Sequence, residues 1–290
     1  MKKKEVEEVT KPNLKVIKYI FFIFSIILII ILYSRYVGTT GLIIKEIQVK
    51  DNNINESYYG YKIVQISDIN YNNTIFKKEL NNIVKEVNMY KPNIVVITGD
   101  TFNKEIIYKD SDYLTLNKLL SDIKADYKYI ILGDQDNEDN IKRIIEKTGF
   151  KLLNNDYDLI YNNDYQPILI AGLRSKKHKY NYTKYIDQIN AAIESNKSVY
   201  NILLIHEPST INDIDYSNFN LVLAGHTING HINIPGIKNI MLSKSEKKYT
   251  NEYYKYNDTN MYISNGVGTS EIKARLFNRP SITLYRLLNK

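Results

Sequence analysis

Five residues of metal-ligand type each stand just past a short apolar run: Asp68 after KIVQIS, Asp100 after NIVVITG, Asp134 after IILG, His206 after NILLI and His226 after LVLAG. Short, branched, nearly continuous apolar runs are the pattern of strands buried on both faces. The carboxyl ends of neighbouring strands in such a sheet face one crevice, so these side chains converge although they are far apart in the chain. Carboxylates gathered in a low dielectric repel, and a bound divalent cation is the usual remedy. Taken singly, a strand-end Asp reads as a turn former or helix cap, and a lone His as a hydrogen-bonded structural residue. Five in order do not reduce to turns, least of all when the whole chain holds only 4 His. Gly99, Gly133 and Gly225 precede three of them and are expected to permit the sharp turn that aims the next side chain inward. With Cys at 0, the ligands and nucleophiles available exclude thiolates, and disulfides and iron-sulfur clusters are excluded with them.

The elements that must position these residues alternate along the chain, as in an α/β or layered α+β domain. Strands are expected at Ile43 to Val49, Lys62 to Ile66, Asn93 to Thr98, Tyr127 to Leu132, Ile168 to Ala171, Asn201 to Ile205 and Leu221 to Ala224, with two more at Met261 to Ser264 and Ile282 to Leu287. Phe76, Leu80, Ile83, Val84 and Val87 recur at helical spacing between Ile75 and Tyr90, and Pro92 closes that helix. Further helices are expected near 113 to 124, 137 to 147 and 183 to 195. No repeat, linker or second boundary interrupts residues 43 to 290, which read as one domain.

Ahead of it lies the longest apolar run, Tyr19 to Tyr33, extended by Val16 and Ile17 around Lys18. About 20 apolar residues suffice to cross a bilayer, so residues 16 to 36 are expected to form a transmembrane anchor. A cleaved signal peptide is the competing reading, but Arg35 with Val37, Gly38 and Thr39 makes a poor cleavage site. Lys2, Lys3, Lys4, Lys11, Lys15 and Lys18 precede the run, and the positive-inside bias places this basic tail, residues 1 to 15, in the cytoplasm. The domain then lies outside, on a single-pass protein of the cell membrane. The tail and anchor also hold much of the net charge of +7, and no nucleic-acid-binding motif accompanies the remainder. Nucleic acid is not an expected partner, and the oligomeric state is not written in the sequence.

The series SDIN at 67 to 70, TGD at 98 to 100, LGDQDN at 132 to 137, LLIHEP at 203 to 208 and AGHTINGHI at 224 to 232 resembles the calcineurin-like metallophosphoesterases. It is most similar to a membrane-anchored bacterial branch that reads SDLH, TGD, GNHD, HNP and GHTHGGQ, and the tail GVGTSEIKARLFNRPSITLYRL resembles that branch's closing strand. The resemblance implies a four-layer αββα sandwich, two mixed sheets face to face with helices outside. It also implies hydrolysis of a phosphodiester or pyrophosphate by metal-activated water, on a phosphoester-containing small molecule or a lipid headgroup.

Carried onto this chain, the family pattern gives one metal the residues Asp100, Asp134, His206 and His226, a complete set in which Asp134 replaces an Asn. Two carboxylates and two imidazoles suit Mn, Fe or Zn. The other metal would take Asp68, Asp100 and two His positions that here are Asn70 and Ile228; an amide oxygen ligates weakly and an alkyl group not at all. One firmly bound ion is therefore expected, with the second in doubt. The family's leaving-group His is Gln135, whose amide is no general acid near neutral pH. Asp136 is expected to orient its neighbours. His231 stands where the branch has Gln, as a substitute ligand or proton donor or as a solvent-exposed loop residue. Arg174, Lys176, Lys177, His178 and Lys179 form a basic loop, facing either an anionic substrate or only solvent. Two readings follow: a hydrolase of reduced activity, or a catalytically inactive relative that acts as a membrane-tethered binding or scaffold protein.

Overall fold

The computed structural model describes residues 14–162, 166–178, 181–233 and 246–290, so most of the basic tail and Lys179 lie outside the described residues. In chain order the elements are α1 (Leu14–Tyr36), β1 (Ile43–Lys50), β2 (Lys62–Ile66), α2 (Lys77–Met89), β3 (Ile94–Thr98), α3 (Asp110–Ser121), β4 (Tyr127–Ile131), α4 (Glu138–Thr148), β5 (Lys151–Leu152), β6 (Asp156–Ile160), β7 (Ile168–Gly172), α5 (Thr183–Asn196), β8 (Tyr200–Leu204), β9 (Leu221–Ala224), β10 (Tyr253–Tyr256), β11 (Thr259–Ile263) and β12 (Ser281–Leu288). They build two six-stranded sheets, ordered β1-β12-β2-β3-β4-β5 and β10-β11-β9-β8-β7-β6.

The continuous apolar runs follow from burial on both faces. In β2 and β3, Ile63, Ile94 and Val96 face the second sheet and meet Ile170, Ile202, Leu204, Leu221 and Leu223 in the central core. The alternate residues Val64, Ile66, Val95 and Ile97 point the other way, onto Leu80, Ile83 and Val87 of α2 and Leu116 and Leu120 of α3. On the second sheet Leu169, Leu203 and Val222 pack outward against Ile186 and Ile189 of α5. The result is the four-layer α/β/β/α sandwich that the resemblance implied.

Register brings the strand ends level. Ile66 pairs with Ile97 and Thr98 with Ile131 in parallel ladders, and in the second sheet Leu204 pairs with Leu223. Asp68, Asp100, His206 and His226 each follow their strand by the same short step, so all four arrive at one edge. Gln65 joins the sheets directly beneath them. It is fully buried, and its amide donates to Thr98 Oγ1 at 2.8 Å and to the Ala224 carbonyl at 2.9 Å, while Tyr285 donates to its oxygen at 2.8 Å.

The expected strands and helices are present with ends shifted by a few residues. Helix α3 begins at Asp110 because the Asp112 carboxylate accepts the Lys109 backbone N–H at 2.8 Å and caps its first turn. The edge strands β5, β6 and β10 have no counterpart in the sequence reading: DYDLI and YYKY are polar and half exposed, so no apolar run announces them. Among the described residues one helix, α1, is long and apolar enough to cross a membrane, and its apolar side chains are exposed along its length.

Ile170 is fully buried between the sheets and away from the crevice. Ile170→Ala should destabilise the detergent-solubilised protein by about 2–5 kcal/mol in urea unfolding. Leu114→Ala, at a site 65% exposed, should change it by less than about 0.5 kcal/mol.

Candidate metal centre

At the level edge, one ligand atom from each of Asp100, Asp134, His206 and His226 lies within 4.8 Å of all the others. Asp134 Oδ1 is 3.2 Å from His206 Nε2 and 3.0 Å from His226 Nδ1. Asp100 Oδ1 is 3.3 Å from the same His206 nitrogen. The other nitrogen of His206, Nδ1, donates to the Thr98 carbonyl at 2.8 Å, which fixes the tautomer and turns Nε2 toward the carboxylates. Asp136 accepts the backbone N–H groups of Phe102 and Gly133, each at 2.9 Å, and so clamps the loop after β3 to the loop after β4. Both of its oxygens are engaged in positioning.

The sharp turns fall differently from the sequence expectation. Only Gly99 of the three glycines adopts a left-handed backbone, with φ at +89°. Gly133 is a matter of clearance, since a Cβ there would lie 2.0 Å from Asp100 Oδ1, and one on Gly225 would lie 2.1 Å from Ser67 Oγ. The left-handed conformation is carried by the functional residues themselves: Asp68 at +56°, Asp100 at +54° and His226 at +65°. Sparsely populated backbone of this kind is held only where the surroundings over-determine it. Here they do, because the Asp68 and Asn70 N–H groups donate to the carbonyls of Gly99 and Asp100 and continue the ladder past the strand ends.

Protons balance this charge when no cation does. Burial alone would raise the Asp134 carboxyl, but hydrogen bonds from His206 and His226 hold it well below the usual carboxylate range. Burial would lower His206, yet Asp100 and Asp134 push it well above an ordinary imidazole, and Asp134 raises His226 in the same way. Asp68 is pushed up to about 6 by desolvation and by Asp100, and Asp136 up to about 7 by the same two causes.

The remaining sequence-derived candidates divide. Asp68 borders the group: its Oδ2 accepts from Ser67 Oγ at 2.5 Å and from the His226 N–H at 3.2 Å. Its buried Oδ1 has no hydrogen-bond partner among the described residues. The Asn70 oxygen accepts from Asn103 Nδ2 at 3.1 Å, and Ile228 is buried hydrocarbon. His231 is not the exposed loop residue that one reading offered: it is buried against Ser270 Oγ at 3.1 Å and lies outside the four-atom group. Desolvation and the nearby Arg275 guanidinium draw it down to about 3, which leaves it neutral at neutral pH. Gln135 donates to Asp134 Oδ2 at 2.6 Å. In the basic loop, Arg174 pairs with Glu138 and Lys176 with Asp213, while Lys177 Nζ reaches the Asp134 carbonyl at 2.6 Å.

Three contributors escaped the sequence. The Thr98 carbonyl carries no side-chain signal, and Asn103 is one Asn among many. Arg275 stood in the tail motif without a role; it is fully buried, and its guanidinium donates to the carbonyls of Asn265, Gly266 and Gly268, a loop that backs Asp68.

A model of the calcineurin-like phosphoesterase family matches residues 61–230, the segment that supplies all four converging ligands. The chain belongs to that family. This calcineurin-like phosphoesterase is 27% identical over 262 residues to the metallophosphoesterase YkuE of Bacillus subtilis (strain 168), covering 88% of each chain. It is 22% identical over 250 residues to a transmembrane protein with a metallophosphoesterase domain from Danio rerio, of which it covers 56%. Among solved structures, the NAD nucleotidase of Haemophilus influenzae superposes with a TM-score of 0.50 at 14% identity; the match covers 71% of this chain and about half, 50%, of that one. At that identity the likeness speaks to fold alone.

A methyl group at Gly133 would displace the Asp100 carboxylate and press on its backbone nitrogen, so Gly133→Ala should weaken Mn²⁺ binding roughly 10- to 100-fold by calorimetry and lower the Tm of the metal-free protein. The titrating groups set a second expectation. Asp68, Asp136, His206 and His226 all have raised values in the folded metal-free protein, so their contribution is present at acid pH and lost as pH rises through 6 to 7 and above. His231, drawn down to about 3, opposes this trend up to about pH 6.5, so the metal-free Tm should fall between pH 6.5 and 8, and the increase in Tm on adding Mn²⁺ should be larger at pH 8, where fewer protons compete for the ligands.

Proposed function

We propose that the protein is a membrane-tethered phosphoester hydrolase working with one firmly held divalent cation, of Mn, Fe or Zn type. The observation that carries this reading is the convergence of two carboxylates and two imidazoles on one point, with the tautomer of His206 already set. The donor chemistry fits such an ion, and the upward pull of Asp100 and Asp134 on the two imidazoles marks where positive charge is favoured. Asp100, Asp134, His206 and His226 would hold it. A divalent cation there supplies Lewis acidity toward a phosphoryl oxygen and acidifies water for attack on phosphorus. Asp136 keeps the two ligand-bearing loops in register, and Lys177, exposed beside Asp134, is placed to meet the negative charge of a phosphate. The orientation proposed for α1 puts its lysine-rich end in the cytoplasm and the domain outside.

The opposite half of the crevice supports a single ion rather than two. The Asn70 oxygen is committed to Asn103, and Ile228 offers no lone pair. Gln135 cannot protonate a leaving group. Loss of a general acid costs roughly 10²- to 10⁴-fold, so turnover should be slow and favour substrates with good leaving groups. The same residues favour a second reading, an inactive relative kept as a tethered binding or scaffold protein.

Hydrolysis of bis(p-nitrophenyl) phosphate by the Mn²⁺-loaded full chain separates the two. The wild type should turn over slowly, His226→Ala should lose both bound metal and activity, and Gln135→His should gain roughly 10²-fold in kcat on an alkyl phosphodiester, whose poor leaving group needs a proton, with little gain on bis(p-nitrophenyl) phosphate. A loaded protein that holds one ion per chain yet shows no turnover, with or without Gln135→His, would overturn the hydrolase reading and leave the binding role as the working one.

A further inference from the structure

The anchor and the crevice share one edge of the molecule. β12 is antiparallel to β2 and parallel to β1, so Ile43, which pairs with Ser281 at the start of β1, lies at the edge where β2 ends and the ligands gather. Only residues 37–42 separate α1 from that edge, and the helix end is bonded to it directly. The Arg275 N–H donates to the Ser34 carbonyl in the last turn of α1 at 2.9 Å, and Ser34 is buried by the contact. A Cβ on Gly38, just past the helix, would fall 1.9 Å from the Arg275 oxygen.

Helix length then sets depth. The 23 residues of α1 span about 34 Å against a hydrocarbon core of about 30 Å, so its last turn sits at the headgroups when the helix crosses. The segment bonded to Ser34 must sit there too. That segment carries the side chains of an interfacial surface: Phe277 is 70% exposed with φ at +55°, Ile272 is 42% exposed, and Lys273 and Arg279 are exposed beside them, with Glu271 the one exposed acid. A bulky residue held in the left-handed region and turned out to solvent is an outlier that needs a reason. Apolar tips among basic residues are what a headgroup layer accepts.

We propose that Ser270 to Arg279 is seated on the bilayer that α1 enters, with Phe277 and Ile272 inserted, so that the crevice opens at headgroup depth. The segment is tied to the metal centre's own loop. The Leu276 N–H donates to the His231 carbonyl at 3.1 Å, Asn278 Nδ2 donates to the Ile228 carbonyl, and Ser270 Oγ meets His231 Nε2 at 3.1 Å. The phosphoester within reach is then one borne by the membrane surface. The inference rests on α1 being a membrane anchor.

The chain has 0 Cys, so single cysteines can be labelled with nitrobenzoxadiazole in the full-length protein, reconstituted into phosphatidylcholine and phosphatidylglycerol vesicles. Labels on Phe277→Cys and, independently, Ile272→Cys should shift to the blue, lose emission to doxyl lipids and resist aqueous iodide. A label on Lys124→Cys, at the opposite edge of the sheet, should do none of these. Phe21→Cys, in the middle of α1, reports the anchor itself. Lipid quenching at Phe21→Cys with Phe277→Cys and Ile272→Cys behaving like Lys124→Cys would overturn the seating while sparing the anchor. Absence of lipid quenching at Phe21→Cys as well would overturn both. Unchanged thermal unfolding of each labelled variant shows that the native surface is being read.

Discussion

One buried imidazole holds the two sheets in the relation that the site requires. His206 leaves β8 of the second sheet, donates from Nδ1 to the Thr98 carbonyl at the end of β3 in the first, and turns Nε2 onto Asp100 and Asp134. The apolar core between the sheets is close-packed but non-directional; it presses the layers together without saying which strand ends must meet. Direction comes from His206 and from Gln65 beneath it, whose amide spans the same gap. Both are fully satisfied polar groups in a dry interior, where a mispaired arrangement would leave donors stranded at a cost of about 1–3 kcal/mol each. The charged cluster above depends on that alignment, and so does its exchange of protons for a cation.

Much of this was legible in the sequence, because the features that mattered were local. Asp68, Asp100, Asp134, His206 and His226 each end an apolar run, and strand-end residues in a sheet with its ends level share an edge whatever the details of the layers. What could not be read depends on atoms without a side-chain signature or on contacts set by the finished fold. The Thr98 carbonyl that orients His206 is backbone. The Asn103 amide that occupies Asn70 comes from a loop with no periodicity. The edge strands Asp156–Ile160 and Tyr253–Tyr256 hide because one exposed face erases the apolar run. The glycines were legible as special, but for the wrong physical reason: Gly133 and Gly225 leave room for a neighbour, while the strained turns fall on the ligands.

The departures from the family pattern have been absorbed rather than left as holes. Asn70 has been drawn into a hydrogen bond between loops, and Ile228 fills its position with hydrocarbon. Asp68 keeps a buried oxygen without a partner among the described residues, a point of polarity in the half of the crevice that holds no imidazole ligand. The other half is intact down to its tautomer. The asymmetry is chemical as much as structural, since one side offers lone pairs to a cation and the other offers mostly methyl groups and committed amides.

Ile228 sits at φ +46°, a conformation that a β-branched residue adopts only under constraint. Its carbonyl is gripped by Asn278 and by the His231 N–H, so the turn is held by backbone groups and not by the side chain it displays. A conformation maintained in this way does not depend on which side chain stands at the position. Over evolutionary time a lineage built on such a frame can shed a metal ligand through a change of codon and recover it through another, with the loop unmoved throughout. Gain or loss of a ligand at this turn then calls for a change of side chain and no refolding of the loop.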